Sequence, residues 1–546
     1  MTQEKLLTTE IFSNASKRNS VKSFGGVKAI TAMNMSKMVL DKQAFEKSSL
    51  LQSLESIFKT VTLKNKTLSQ ESKDYYRVTF SGQQIRSENI RIAPFKFVQL
   101  LEMTINHLQG DHAIAKFKGI VSEEEGKRVL QLAETKVPIK ISKRDETGKE
   151  FSFYKGIALN LDVSKEGGVY TLSGKVASYS YLMDIKRKSR SFQVPSQKFE
   201  SLLAQVVNDY SDGAFIDTLS NDRPVGQFLT QYNETDWQFI KRLASHFHSQ
   251  PIAIDQSTSP RFYFGLPNTS SVGELISHNF EVKKDLVDYH HVKENNQIDV
   301  MPQDFIQYQA ESSQLFLLGD KVKFIDKEWL IVGLKRAIIK GELLNTYTLS
   351  SPKGNRCDKY YNDELVGSSI IGTVKKVTED KVLLALDIDK GQDNAFYWFS
   401  YSTNYTSDDN VGWYMMPEVG EKARLYYPTK DEKDAVATST VRTEADLDGT
   451  LDPAIKTLRN KFGKTITLEP NKITIVGNGV EIILNDSDGI NITSNRNVSV
   501  TAEGALNLKG RNVVMDAGDS VTLNSHGNTV TVNDKIILNG SEIKMN

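Results

Sequence analysis

The stretch EIILNDSDGINITSNRNVSVTAEGALNLKG, residues 481–510, decides how the C-terminal part of this chain is read. Its aliphatic residues come as alternating pairs: Ile482 with Leu484, Ile490 with Ile492, Val498 with Val500, Leu506 with Leu508. One pair follows another every eight residues, with turn formers such as Asp488-Gly489, Asn495 and Gly504 in between. The pairs continue less regularly through Val513/Met515, Val521/Leu523, Val530/Val532, Ile536/Leu538 and Ile543/Met545. Self-similarity at a short fixed period is the mark of a solenoid, in which each unit stacks on the next. Eight residues make one short strand and a turn. A parallel β-helix of a single chain needs about 20 residues or more per coil. One unit therefore supplies one side of a coil, and two further chains supply the other sides. Such an intertwined homotrimer buries the pairs along its axis and leaves no lateral sheet edge. From Gly463 to Asn546 there is no Phe, Tyr or Trp and one proline, which suits a narrow axial core. A single-chain solenoid, or a β-sandwich with a coincidental period, is the alternative.

Working outward, the whole chain has 546 residues, with 39% hydrophobic residues and a mean hydropathy of −0.39. That length suits about three to five domains. Lys and Arg number 68, and so do Asp and Glu. A dominant nucleic-acid or membrane-surface role calls for a basic excess, and there is none. The single cysteine, Cys357, excludes an intrachain disulfide framework. No stretch is apolar for long enough to span a bilayer, and the first twenty residues lack the apolar core of a secretory signal. The expectation is assembly in the cytoplasm.

Residues 1–70 read as an N-terminal extension. Within it Leu50, Leu51, Leu54, Ile57, Phe58 and Val61 recur at helical spacing, an amphipathic helix that packs on its own domain or docks on another protein. Residues 71–185 read as strands, among them YYRVTF (75–80), AIAKFKGIV (113–121) and FSFYKGIALNLDV (151–163). The run IKRKSRSFQ (185–193) is basic and reads as a solvated edge or loop. Residues 186–250 read as a helical insert. One helix covers about 198–209, and a second covers 234–248, capped by Thr235 or Asp236, with Trp237, Ile240, Leu243 and Phe247 as its buried stripe. Strands return over 251–360, and a compact β segment fills 366–445. Residues 446–470 read as a polar linker and 471–546 as the repeat domain. The fold class expected is mainly β, with two barrel-like halves around a small helical insert.

Three further stretches give this order of segments a family likeness. YLMDIKRKSRSFQ (181–193) ends in Arg190-Ser191-Phe192-Gln193. QYNETDWQFIKRLASHF (231–247) places Tyr232, Asn233, Glu234 and Asp236 at a turn, and Phe239, Arg242 and Leu243 on the helix that follows. VGWYMMPEVGEKARLYYP (411–428) carries Pro417, Val419 and Gly420 in a hairpin pattern. With the octad C-terminus they resemble the VgrG family, the spikes of type VI secretion systems and related phage-tail-like contractile injection machines. The likeness covers about residues 75–546. It implies two hub barrels (71–185 and 251–360), an OB-fold neck (366–445) and a triple-stranded β-helix needle. It also implies a homotrimer facing a hexameric inner-tube (Hcp-like) protein, baseplate partners, effectors carried on ejection, and no cofactor. A tip protein with PAAR repeats would dock on Ile543, Lys544, Met545 and Asn546. Unlike some relatives, the chain has no room for a lysozyme domain between neck and needle, and no His-x-His pair near its C-terminus.

A few residues also suggest chemical alternatives. Asp486 and Asp488 are close enough in sequence to suggest glycoside hydrolysis, but turns favour Asp for backbone reasons, and the needle has no aromatic platform for a sugar. Asp408-Asp409-Asn410 lacks the rest of a calcium-loop spacing. His246 and His248 would point to different faces of a helix, so one metal would be hard to share unless the helix has ended. Cys357 carries no nucleophile signature. The expectation is a structural protein rather than an enzyme. The other reading is a trimeric tail-spike-like adhesin or glycan hydrolase.

Overall fold

The computed structural model describes residues 85–440 and 452–546, apart from 133–135, 146–147, 297, 392–394, 407–410, 533, 535, 540, 543 and 545–546. The helix expected over residues 50–61, the strand over 75–80 and the loop 408–410 lie outside the described residues. The chain divides into two units, Met1–Val441 and Arg442–Asn546. Both are built mainly of β-strands.

The first unit begins with β1 (Ile90–Ala93), β2 (Phe97–Leu108), β3 (Ile114–Val121), α1 (Glu123–Leu130), β4 (Pro138–Arg144), β5 (Glu150–Glu166) and β6 (Val169–Ser178). Alternation along β3 buries Ala115, Phe117 and Val121 and exposes Lys116 and Lys118, as a half-buried strand requires. Helix α1 was not expected. Its Ser122 cap accepts from Glu125 N, and Glu123, Glu124 and Glu125 occupy its first turn, where the helix dipole favours acids.

Next come β7 (Arg187–Phe192), α2 (Phe199–Val207), β8 (Ala214–Asp217), β9 (Leu229–Thr235), α3 (Asp236–Ser245), β10 (Ile252–Ala253) and β11 (Arg261–Phe264). The stretch 186–250 is thus less helical than expected. Strand β7 pairs β9 as an antiparallel ribbon, and β8 lies parallel to β11. Thr235 caps α3: its hydroxyl accepts from Gln238 N while the Gln238 side chain accepts from Thr235 N. Helices α2 and α3 bury Leu202, Leu203, Val206, Phe239, Ile240 and Leu243 in one core.

Strands β12 (Phe280–Lys284), β13 (Ile306–Ser312), β14 (Lys321–Phe324), β15 (Lys327–Ile339) and β16 (Glu342–Ser350) follow. They join the earlier strands in one eleven-stranded sheet, in the order β1-β4-β5-β6-β3-β2-β15-β16-β13-β12, with β14 on β15. The segments 71–185 and 251–360, expected as separate barrels, are therefore continuous through the β2–β15 pairing, and the apolar cluster of the first also takes in Leu315 and Leu343 of the second. The second also contains a helix that was not expected, α4 (Leu286–Asn296). Its apolar residues do not share a face: Tyr289 and Val292 are buried while Leu286 and Val287 are exposed.

The first unit closes with β17 (Ser369–Thr378), β18 (Lys381–Leu386), β19 (Trp398–Ser400), β20 (Lys422–Tyr426) and β21 (Val436–Thr440), ordered β19-β18-β17-β20-β21. The sheet curls until Tyr401, just past β19, bridges Ala437 in β21, so that it closes into a small barrel.

In the second unit, β22 (Lys456–Arg459), β23 (Thr465–Glu469), β24 (Lys472–Gly477), β25 (Val480–Asn485) and β26 (Gly489–Ser494) form an antiparallel meander. A second meander joins β27 (Val521–Ser525), β28 (Asn528–Val532) and β29 (Ile536–Asn539). Two of these strands fall inside 446–470, which was read as a linker. Alternation in Thr465–Glu469 is only five residues long, and Pro470 follows it, so its period is masked.

Candidate functional site

Two features stand out, one in each unit. The first is an apolar face that the described residues leave largely exposed. In the meander Ile482 lies opposite Ile492, and Leu484 opposite Ile490. The same columns run back through Ile475, Ile466 and Leu458, and through Ile473 and Leu468. Directly opposed residues of an antiparallel pair point to the same side, so these side chains form two adjacent aliphatic columns on one face. Ile490 is 72% exposed, Val500 69% and Leu508 65%. Ile492, Val498 and Leu506 are exposed as well. Val498, Val500, Leu506 and Leu508 lie where the chain forms no strand. Burying one such side chain is worth roughly 1.5–3 kcal/mol. A chain on its own forgoes that gain at every repeat.

The second feature is a charged joint in the first unit, where the ribbon and α3 meet the small barrel. Arg242 in α3 is 2% exposed. Its Nη1 donates to Glu432 Oε1 at 2.6 Å, and its Nη2 donates to Glu234 Oε1 at 2.5 Å and to the Thr230 carbonyl at 2.8 Å. Burial opposes the arginine's charge, but the two glutamates outweigh it and hold its pKa above the usual value. Burial pushes the Glu234 carboxyl up, against the pull of Arg242. A neighbouring cluster centres on Asp236, which is fully buried. It accepts from Lys188 Nζ and Arg190 Nη2, both at 2.5 Å, from the Tyr210 hydroxyl at 2.6 Å and from Gln231 Nε2 at 2.9 Å. The basic run expected at a solvated edge is thus a paired strand whose Lys188 and Arg190 reach this buried acid.

The ribbon also enters the barrel. Phe228 is fully buried in the barrel's core with Phe399 and Tyr427. Ser191 donates from both N and Oγ to Asp389, at 2.7 and 2.6 Å, and Gln193 Nε2 donates to the Leu384 carbonyl at 3.0 Å. Phe192 stacks on Phe239, with ring centroids 5.3 Å apart.

The remaining singled-out residues are placed as follows. Tyr232 is half-buried, and Asn233 has φ +48°, a left-handed conformation that Asn tolerates. Its Nδ2 donates to Glu364 Oε2 at 2.6 Å. Pro417 is buried, Val419 is exposed, and Gly420 has φ +100° with its N donating to the Val374 carbonyl. Asp486 and Asp488 sit on an exposed turn, where Asp488 N donates to Asn485 Oδ1. His246 is the C-cap of α3, not a residue within it, and His248 has φ +55° beyond the helix. Among the described residues no group of three His, Cys, Asp or Glu side chains could hold a metal ion. Cys357 is half-buried, and burial pushes its thiol up to about 11. Lys544 is exposed, while Ile543, Met545 and Asn546 lie outside the described residues. Reading the sequence missed Glu432, Asp389 and Phe228. Glu432 lies in the run KDEKD, which reads as a solvated charged turn, and only its long-range partner reveals it.

No protein-family model matches the chain, and no curated protein matches it. Among solved structures it is similar to the E. coli c3393 protein, a component of the type VI secretion system with structural similarity to T4 bacteriophage tail proteins gp27 and gp5. The identity is 11% and the TM-score 0.46, over 65% of this chain and 99% of that one. It is similar to a chain of the lidded Francisella PdpA-VgrG complex at 12% identity and TM-score 0.46, over 90% of this chain and 92% of that one. It is also similar to the 43 kDa tail protein of prophage MuSo2 from Shewanella oneidensis, at 10% identity and TM-score 0.37, over 51% of this chain and 99% of that one.

Proposed function

We propose that this chain is the hub and spike subunit of a contractile injection machine of the type VI secretion kind, acting as a homotrimer. The observation that carries the reading is the aliphatic ladder of the meander, ending at Ile490 and Ile492, together with the exposed pairs Val498/Val500 and Leu506/Leu508 that continue its eight-residue repeat without an aromatic side chain. Three copies wound about one axis would bury every pair, and the intertwined prism would be stiff along its length because its strands lie across the axis. On this reading residues 471–546 are the needle and the barrel of residues 366–445 is an OB-fold neck. The eleven-stranded sheet of the first unit is then the hub, which in three copies faces a hexameric inner tube. The role is mechanical: capping the tube, piercing the target envelope and carrying effectors. A PAAR-type tip protein on residues 543–546, baseplate contacts, and assembly in the cytoplasm before ejection belong to the same proposal.

The test is the solution mass of the purified protein by light scattering or sedimentation. A trimer weighs about 184 kDa, three times 61.3 kDa. A folded monomer of 61.3 kDa would sink the reading.

A further inference from the structure

Around Arg242 the first unit has closed a site whose charges do not balance. Glu234 and Glu432 both bond to the one guanidinium, and all three side chains are buried. With both carboxylates ionised the cluster carries one negative charge too many. Excess charge in such surroundings costs several kcal/mol unless it is neutralised. Two buried atoms at the cluster have no hydrogen-bond partner among the described residues, Glu432 Oε2 and His246 Nε2. The other charged groups that face it do not supply the missing cation. Glu364, which faces Glu234, adds negative charge and is held outside the core by Arg187 at 3.1 Å. Lys359 acts on His246, where it opposes a positive charge.

We infer that this joint is a proton-linked latch: the ribbon and α3 close on the small barrel with the uptake of one proton into the Glu234–Arg242–Glu432 cluster, and release it on opening. The proton belongs to the cluster as a whole, since its acids are coupled through one guanidinium. Burial raises the Glu234 carboxyl and lowers His246, so a carboxyl rather than the imidazole takes the proton.

The sign of the pH dependence follows. A carboxyl raised in the closed state above its ordinary 4.5 contributes stability that is present below that value and lost as pH rises through its closed-state value. His246, lowered from 6.5, contributes in the opposite sense, since its share is lost as pH falls. The two are separated by comparing variants rather than by reading one curve. The latch is internal to one chain, so it stands or falls independently of the trimer.

The experiment uses the full chain and its E234Q and E432Q variants, which mimic the protonated state of either acid. Hydrogen exchange of the α3 amides, corrected for intrinsic rates, is followed from about pH 4.5 to about pH 8. Wild-type protection should fall relative to E234Q as pH rises, by up to about tenfold per pH unit, the slope of one proton. A wild-type to E234Q ratio that stays constant with pH overturns the proposal. A second measurement does not depend on the variants folding. Infrared spectra of the wild type should show a protonated carboxyl carbonyl band persisting above the pH at which ordinary acids have ionised. Absence of that band once ordinary acids have ionised also overturns it.

Discussion

Phe228, from the segment leading into the ribbon, lies inside the core of the small barrel, its ring edge-on to Phe399 with centroids 4.8 Å apart. A residue from outside the barrel strands thus completes the barrel. The ribbon and α3 are tied to the barrel again by Ser191 to Asp389 and by Arg242 to Glu432.

Phe228→Ala should therefore destabilise the barrel by about 3–5 kcal/mol, the cost of emptying a buried aromatic site. Urea unfolding of the first unit measures it. The same contact predicts that residues 366–445 expressed alone give no cooperative transition. A fragment that unfolds cooperatively would show that Phe228 is dispensable.

Arg242→Met should cost about as much, roughly 3–5 kcal/mol, because it leaves the buried Glu234–Glu432 pair, with its remaining negative charge, without a cation. E234Q should cost clearly less at neutral pH. If both substitutions lower the denaturation midpoint equally, the arginine is not the keystone of the joint.

For the second unit, Ile490→Asp should abolish trimerisation or needle folding. On the trimeric reading it places three charges per layer around the axis, each costing several kcal/mol when buried. Ser494→Asp, near a turn, should leave the trimer intact. A normal 490 variant with unchanged melting temperature would contradict the axial placement of the ladder.

Cys357 offers a chemical probe. Its thiol, pushed up to about 11 by burial, should react with an alkylating reagent at about pH 8 at least ~100-fold more slowly than in the unfolded chain. Rapid labelling of the native protein would place the side chain in open solvent.

Much of this architecture is legible in the residues. The start of α3 is written in Thr235 and Gln238, and its buried stripe in Trp237, Ile240 and Leu243, because both signals are local. The octad pairs are legible because turn formers repeat with them. What stays hidden depends on contacts far apart in the chain. Glu432 reads as one charge in a polar turn until Arg242, 190 residues away, is placed against it. Helix α4 has no apolar face to announce it. Strands β22 and β23 are short, polar at their flanks and bounded by prolines, so their aliphatic alternation is too brief to read. The continuity of the large sheet rests on β2 meeting β15, a register that neither strand specifies by itself.

The uncovered ladder of the second unit also bears on how the protein is made. The first unit buries its own cores, so it can fold at a rate indifferent to how many copies surround it. On the trimeric reading the second unit gains its burial only when chains meet, so its folding rate would rise with their local density. Chains finished one at a time and far apart would expose Ile490, Val500 and Leu508 to whatever apolar surface came first. Neighbouring ribosomes on one message, releasing chains side by side, would supply the crowd that a trimer requires.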